Sequence, residues 1–106
     1  MNTITATELA ERLQSSTDGP VLLDVREPHE FKFCHIPGSV NIPMNTLAGA
    51  LNTLDRGRET VVICHHGMRS AQSGQFLIGN GFSNIINLKG GVAAWSAEVD
   101  PKMPTY

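Results

Sequence analysis

Apolar and polar positions follow two rhythms along this chain, short runs rich in Val, Ile and Leu and longer stretches with apolar residues at helical spacing. Thr5-Ala6-Thr7-Glu8 forms a capping-box signature ahead of Leu9, Ala10 and Leu13, which predicts a helix over 6–15 giving way to the polar segment Ser15-Ser16-Thr17-Asp18-Gly19-Pro20. The run Val21-Leu22-Leu23-Asp24-Val25, bounded by Pro20 and by Arg26-Glu27-Pro28, predicts a strand covered on both faces. Pro28 suits the first turn of a short helix through Phe33, and Ile36-Pro37-Gly38 turns the chain into a small strand over 39–42. Leu47, Ala50, Leu51 and Leu54 recur at i, i+3, i+4 and i+7, which predicts an amphipathic helix over 44–54 broken by Asp55-Arg56-Gly57. A strand over 60–64, a helix over 69–79 capped by Asn80-Gly81, a strand over 84–88, a turn at 89–91 and a final helix to about Val99 complete the pattern. Trp95, Phe76 and Phe82 are assigned to packing.

Strands alternating with helices across short loops predict an α/β fold, an open, mostly parallel sheet flanked by helices on both faces. Such sheets bind ligands beyond the carboxyl ends of their strands. Two predicted strands end in reactive side chains: one delivers Asp24 and Arg26, the other Cys64.

With 106 residues, 41% of them hydrophobic and 17% charged, residues 1–106 make one domain able to bury its own core. A net charge of −2 gives no global attraction to nucleic acid or to an anionic membrane, and no apolar stretch approaches the roughly 20 residues of a membrane span. The segment Met1 to Thr5 lacks the basic and apolar regions of a signal peptide, and two cysteines are too few for a disulfide framework. The expectation is a cytoplasmic protein with reduced thiols.

Thr60-Val61-Val62-Ile63 leads straight into Cys64, and a helix follows within a few residues. Unpaired N–H groups and the positive end of the helix dipole favour a thiolate, the nucleophilic form of cysteine, at such a junction. A backbone that curls around the sulfur over 65–70 makes an anion nest; Gly67 permits the curl, Arg69 adds a fixed cation at the rim, and Ser70 adds a hydroxyl for the sulfur or the helix start. His65, His66 and Met68 complete the loop, with the histidines lining the mouth of the pocket, polar or cationic near neutral pH. Adjacent histidines do not both reach one ion from a tight loop, and Cys34-His35 is the only other candidate pair, so no metal is expected. Four residues separate Cys64 from Arg69, one fewer than in the cysteine phosphatases. The shorter cradle suits a single sulfur atom on the cysteine better than a phosphate above it, which argues against a small phosphatase or arsenate reductase.

The chain resembles the single-domain rhodaneses, a family of thiosulfate or persulfide sulfurtransferases. The resemblance spans nearly the whole sequence. It rests on Cys64-His65-His66-Gly67-Met68-Arg69-Ser70, on Leu22-Leu23-Asp24-Val25-Arg26-Glu27-Pro28-His29-Glu30-Phe31, on His35-Ile36-Pro37-Gly38-Ser39-Val40-Asn41-Ile42-Pro43, and on Leu88-Lys89-Gly90-Gly91-Val92-Ala93-Ala94-Trp95. It implies a rhodanese-like fold with a five-stranded sheet. It also implies a cycle in which Cys64 takes a sulfane sulfur from thiosulfate or a persulfide and passes it to cyanide, a thiol or a protein. The implied partners are a small sulfur-donor anion and such an acceptor; the persulfide on Cys64 is the intermediate and no cofactor is called for. Asp24 and Arg26 are implied as scaffold beside the loop, with two readings open: an ion pair fixing strand ends, or a direct part in catalysis. A non-catalytic rhodanese-like binding module is the alternative, which the intact Cys64 and Arg69 argue against. Cys34 stands where this family usually carries glycine and is expected to be inert. His65 and His66 replace the basic pair of the best thiosulfate users, so modest thiosulfate affinity is expected. The ending from Ala94 to Tyr106 is similar to rhodanese domains attached to enzymes that activate ubiquitin-like sulfur carriers, which points to a protein acceptor.

Overall fold

The apolar runs Val21–Asp24, Thr60–Ile63 and Ile85–Leu88 become the three inner strands of one parallel sheet, covered on both sides. A computed structural model describes residues 1–15 and 18–106. Ser16 and Thr17, part of the predicted polar segment after the first helix, lie outside the described residues. The elements in chain order are β1 (Asn2–Ile4), α1 (Ala6–Ser15), β2 (Val21–Asp24), α2 (Pro28–Phe33), β3 (Val40–Asn41), a 3₁₀ helix (Met44–Thr53), β4 (Thr60–Ile63), α3 (Met68–Gly79), β5 (Ile85–Leu88) and α4 (Gly91–Glu98). The strands lie in the order β1-β5-β4-β2-β3, and every pairing is parallel.

Alternation along the strands divides the core in two. Leu22, Val61, Ile63, Ile86 and Leu88 face α1 and α4 with Leu9, Val92 and Trp95. Leu23, Val62, Cys64 and Ile85 face α3 and the 3₁₀ helix with Leu47, Leu77 and Phe82. Burying a Leu or Ile side chain stabilises a fold by about 1.5–3 kcal/mol, so the central strand β4, buried at all four positions, anchors the sheet. Its carboxyl end carries Cys64, which is 1% exposed.

The capping box of α1 is present in full: the Glu8 N–H donates to Thr5 Oγ1 at 3.1 Å, and the Thr5 N–H donates to Glu8 Oε1 at 2.9 Å. Three differences from the sequence reading have physical causes. β1 is an added edge strand, and its single buried residue, Ile4, leaves no periodic signal. The segment over 44–54 winds as a 3₁₀ helix instead of an α-helix. Asn45, Thr46, Gly49, Asn52 and Thr53 are weak α-helix formers, and the Thr46 and Thr53 hydroxyls donate to the carbonyls three residues back, at 2.9 and 2.7 Å. Trp95 and Phe82 are buried as predicted, but Phe76 is 40% exposed. The inner stripe of α3 is Ser70, Ser73, Gly74 and Leu77, and a residue at position 76 falls off it.

Candidate active site

A strand that ends beneath two helix starts positions the site. Beyond Ile63 the chain turns through Cys64, His65 and His66 to Gly67, whose φ of 108° lies in the left-handed region where glycine is unstrained. That turn brings the Gly67 N–H to 3.0 Å from Cys64 Sγ, to which it donates. Ser70 Oγ lies 3.3 Å from the same sulfur. Ser70 is fully buried and its hydroxyl donates to Asn87 Oδ1, while Asn87 Nδ2 donates to the Gly67 carbonyl at 3.1 Å. The sulfur, the Gly67 peptide, Asn87 and Ser70 thus form one closed circuit of hydrogen bonds. Asn87 was missed in the sequence, although a polar residue inside the apolar strand Ile85–Leu88 is the signal that could have found it.

The start of α4 holds the outside of the turn. The Val92 N–H donates to the Cys64 carbonyl at 2.9 Å, and the Ala93 N–H donates to the His65 carbonyl at 3.1 Å. Helix N–H groups that lack an intrahelical partner therefore take up the loop's carbonyls. The approach is so close that a Cβ on Gly91, itself at φ 60°, would overlap the carbonyl oxygens of Cys64 and His65. Gly91→Ala is expected to destabilise the domain by roughly 2–4 kcal/mol, combining a strained backbone with an overlap. A urea-unfolding midpoint within error of the unmodified protein's would contradict this account of the turn.

His65 and His66 lie at the mouth with ring centroids 3.9 Å apart. The His65 ring also stacks on Tyr106 at 4.0 Å and 15°. Burial, followed by the neighbouring His66, pushes the His65 pKa down, which favours the neutral imidazole. Met68 is exposed.

Arg69 is charged but engaged. Its Nη1 and Nη2 donate to Glu30 Oε1 and Oε2 at 2.7 and 2.8 Å, a two-armed ion pair with a residue of α2. Glu30 is held further by the Tyr106 hydroxyl, which donates to Oε2 at 2.7 Å, and by the Glu27 N–H, which donates to Oε1 at 3.0 Å. The Arg69 hydrogen bonds, aided by that of Tyr106, hold the Glu30 carboxyl well below its ordinary range. Glu30 and Tyr106 were not singled out from the sequence. Both act across long separations, 39 residues for Glu30–Arg69 and 76 for Tyr106–Glu30, and no local pattern records such pairings.

Asp24 and Arg26 form a buried ion pair whose side chains are both 0% exposed. Arg26 Nη2 donates to Asp24 Oδ2 at 2.6 Å, and Nε donates to Oδ1 at 2.9 Å. Arg26 Nη2 also donates to the Cys34 carbonyl at 2.7 Å, and Nη1 donates to the Tyr106 oxygen at 2.9 Å. Burial opposes the Arg26 charge, but hydrogen bonds to Asp24 and Tyr106 more than offset it and raise its pKa. Arg26 thus reaches the loop through Tyr106 and Glu30. Cys34 is a free, buried thiol beneath this network, with its sulfur 3.9 Å from Arg26 Nη1.

A buried cysteine thus sits on a glycine-containing turn, at the carboxyl edge of a parallel sheet and against a helix start. The family model described as the rhodanese-like domain matches residues 5–98, and the chain belongs to this family. Among relatives, it is 38% identical over 77 residues to the thiosulfate sulfurtransferase GlpE of Pseudomonas syringae pv. syringae, covering 73% of each chain. It is 37% identical over 94 residues to the adenylyltransferase and sulfurtransferase uba4 of Ogataea parapolymorpha, covering 87% of this chain but only 24% of that longer protein. Among solved structures, a rhodanese-like domain protein from Staphylococcus aureus superposes with a TM-score of 0.86 at 31% identity, covering 100% of this chain and 99% of that one. Among the described residues, no helix is long and apolar enough to cross a membrane.

Proposed function

We propose that the protein is a sulfurtransferase in which Cys64 carries the sulfur. The observation that carries this reading is the donation of the Gly67 N–H to Cys64 Sγ at 3.0 Å, within a turn whose outer carbonyls are occupied by α4. In the first half-reaction the Cys64 thiolate attacks the sulfane sulfur of thiosulfate or of a persulfide. A new S–S bond forms, the donor's bond to that sulfur breaks, and its electron pair leaves with sulfite or with a thiolate. In the second half-reaction cyanide, a thiol or a protein nucleophile attacks the outer sulfur, and the bonding pair returns to Cys64 as thiolate. The cycle is complete without a cofactor or a metal.

The circuit around the sulfur suits both stages. The Ser70 hydroxyl has one proton, which it gives to Asn87 Oδ1 while the Cys64 thiol donates to it; rotation of that hydroxyl, which gives up its bond to Asn87, supplies a second donor to the anionic sulfur beside the fixed Gly67 N–H. Fixed donors aimed at developing charge are the usual means of lowering such barriers. The proposal extends to a protein acceptor in a cytoplasmic setting, beside the small-molecule acceptors, on the similarity of Ala94 to Tyr106 to rhodanese domains attached to enzymes that activate ubiquitin-like sulfur carriers. Initial rates measured over varied thiosulfate and cyanide are expected to give parallel double-reciprocal lines, the pattern of a covalent carrier. Intersecting lines would indicate direct transfer in a ternary complex and contradict the proposal.

A further inference from the structure

Glu30 lies across the rim of the sulfur loop with its carboxylate on the loop's cation. Three donors fix that carboxylate: the Arg69 guanidinium, the Tyr106 hydroxyl and the Glu27 N–H. The side chain is only 11% exposed, while that of Arg69 is 35% exposed. Tyr106 is tied in turn to the buried Arg26 and stacks on His65, so the clasp is anchored on the scaffold and on the loop.

We propose that Glu30, held by Tyr106, is a specificity-determining residue that withholds Arg69 from small anionic donors. The proposal rests on the sulfurtransferase reading and says which donors that site prefers. A guanidinium paired on both arms offers an incoming dianion little unsatisfied charge, and the carboxylate beside it repels the dianion outright. Burial of His65 beside His66 and against Tyr106 disfavours a compensating charge there. A donor that presents its sulfane sulfur as a persulfide, with at most one charge and that on the sulfur to be transferred, needs no free cation at the rim. The site therefore favours persulfides over thiosulfate. Because Glu30 sits well below the ordinary carboxylate range, the clasp persists above that range and is lost only on strong acidification.

Glu30→Gln keeps the shape of the side chain and releases the Arg69 charge. With thiosulfate and a low-molecular-weight persulfide as alternative donors, the ratio of their kcat/KM values is expected to shift about tenfold toward thiosulfate, through a lower thiosulfate KM, on the scale of one charge-assisted hydrogen bond. Tyr106→Phe removes one of the three anchors and is expected to shift the ratio less, in the same direction. A ratio that is unchanged, or that shifts toward the persulfide, overturns the proposal and leaves Glu30 as a support for the loop. A second measurement is independent of turnover: the protection by sulfate of Cys64 against iodoacetamide. Sulfate is expected to protect both variants at lower concentration than it protects the unmodified protein, and equal or weaker protection overturns the proposal. If the unmodified protein took sulfur from neither donor, the sulfurtransferase reading would fail while the protection measurement still decided whether Glu30 withholds Arg69.

Discussion

Cys64→Ser is expected to abolish sulfur transfer while leaving a folded domain. The serine hydroxyl can still accept the Gly67 N–H and meet Ser70, so the hydrogen-bond circuit that shapes the turn survives. What disappears is the ability to form and release a sulfur–sulfur bond, for which a buried alcohol offers neither the nucleophilicity nor a stable product. Where an enzyme loses its covalent nucleophile, kcat falls on the order of a millionfold; here turnover with thiosulfate and cyanide should drop to background. The unfolding free energy from urea titration should fall by about 1 kcal/mol, the scale of a hydroxyl in place of sulfur in a largely apolar setting. Turnover within tenfold of the unmodified protein would place the nucleophile elsewhere, with Cys34 the only other thiol in the chain.

Arg26→Met is expected to be the most destabilising single change, by about 3–5 kcal/mol, because it leaves the Asp24 carboxylate buried without its cation. The loss is large against the roughly 5–15 kcal/mol that holds a domain of this size together. Asp24 Oδ1 would keep the backbone N–H of residue 26 at 3.0 Å, but Oδ1 would lose its contact with Nε and Oδ2 its contacts with Nε and Nη2, and the Cys34 carbonyl and Tyr106 would lose theirs. The double variant Asp24→Asn/Arg26→Met should recover part of the stability, since no unpaired charge remains. Denaturant unfolding of the three proteins checks both statements. A single-variant loss below 1 kcal/mol would mean that the pair is not the buried scaffold described here.

What was legible in the sequence had local causes. The capping box at Thr5 and Glu8, Pro28 at the start of α2 and the buried strand Thr60–Ile63 each carry their signal within a few residues, and the structure places these elements as the pattern predicts. The four-residue span from Cys64 to Arg69 was equally visible, and with it the placement of the sulfur at a helix start. The 3₁₀ helix was misread because Leu47, Ala50, Leu51 and Leu54 satisfy an α-helical spacing that threonine hydroxyls and weak helix formers then override. Arg69 shows a different limit. Its presence in the loop was plain, but its pairing with Glu30, and the tie of Glu30 to Tyr106, exist only once α2 and the C-terminal segment have folded against the loop. The charge at the rim is therefore a tertiary property. Composition counted a cation where the folded site has a neutralised pair.

Accumulation of sulfur on Cys64 is the most direct test of covalent sulfur transfer. The reduced protein, incubated with thiosulfate and separately with a persulfide donor, is to be weighed intact beside Cys64→Ser. The expected result is a gain of about 32 Da, one sulfur atom, that disappears on treatment with a thiol reductant and is absent from the variant. No gain from either donor, or the same gain in Cys64→Ser, would contradict it.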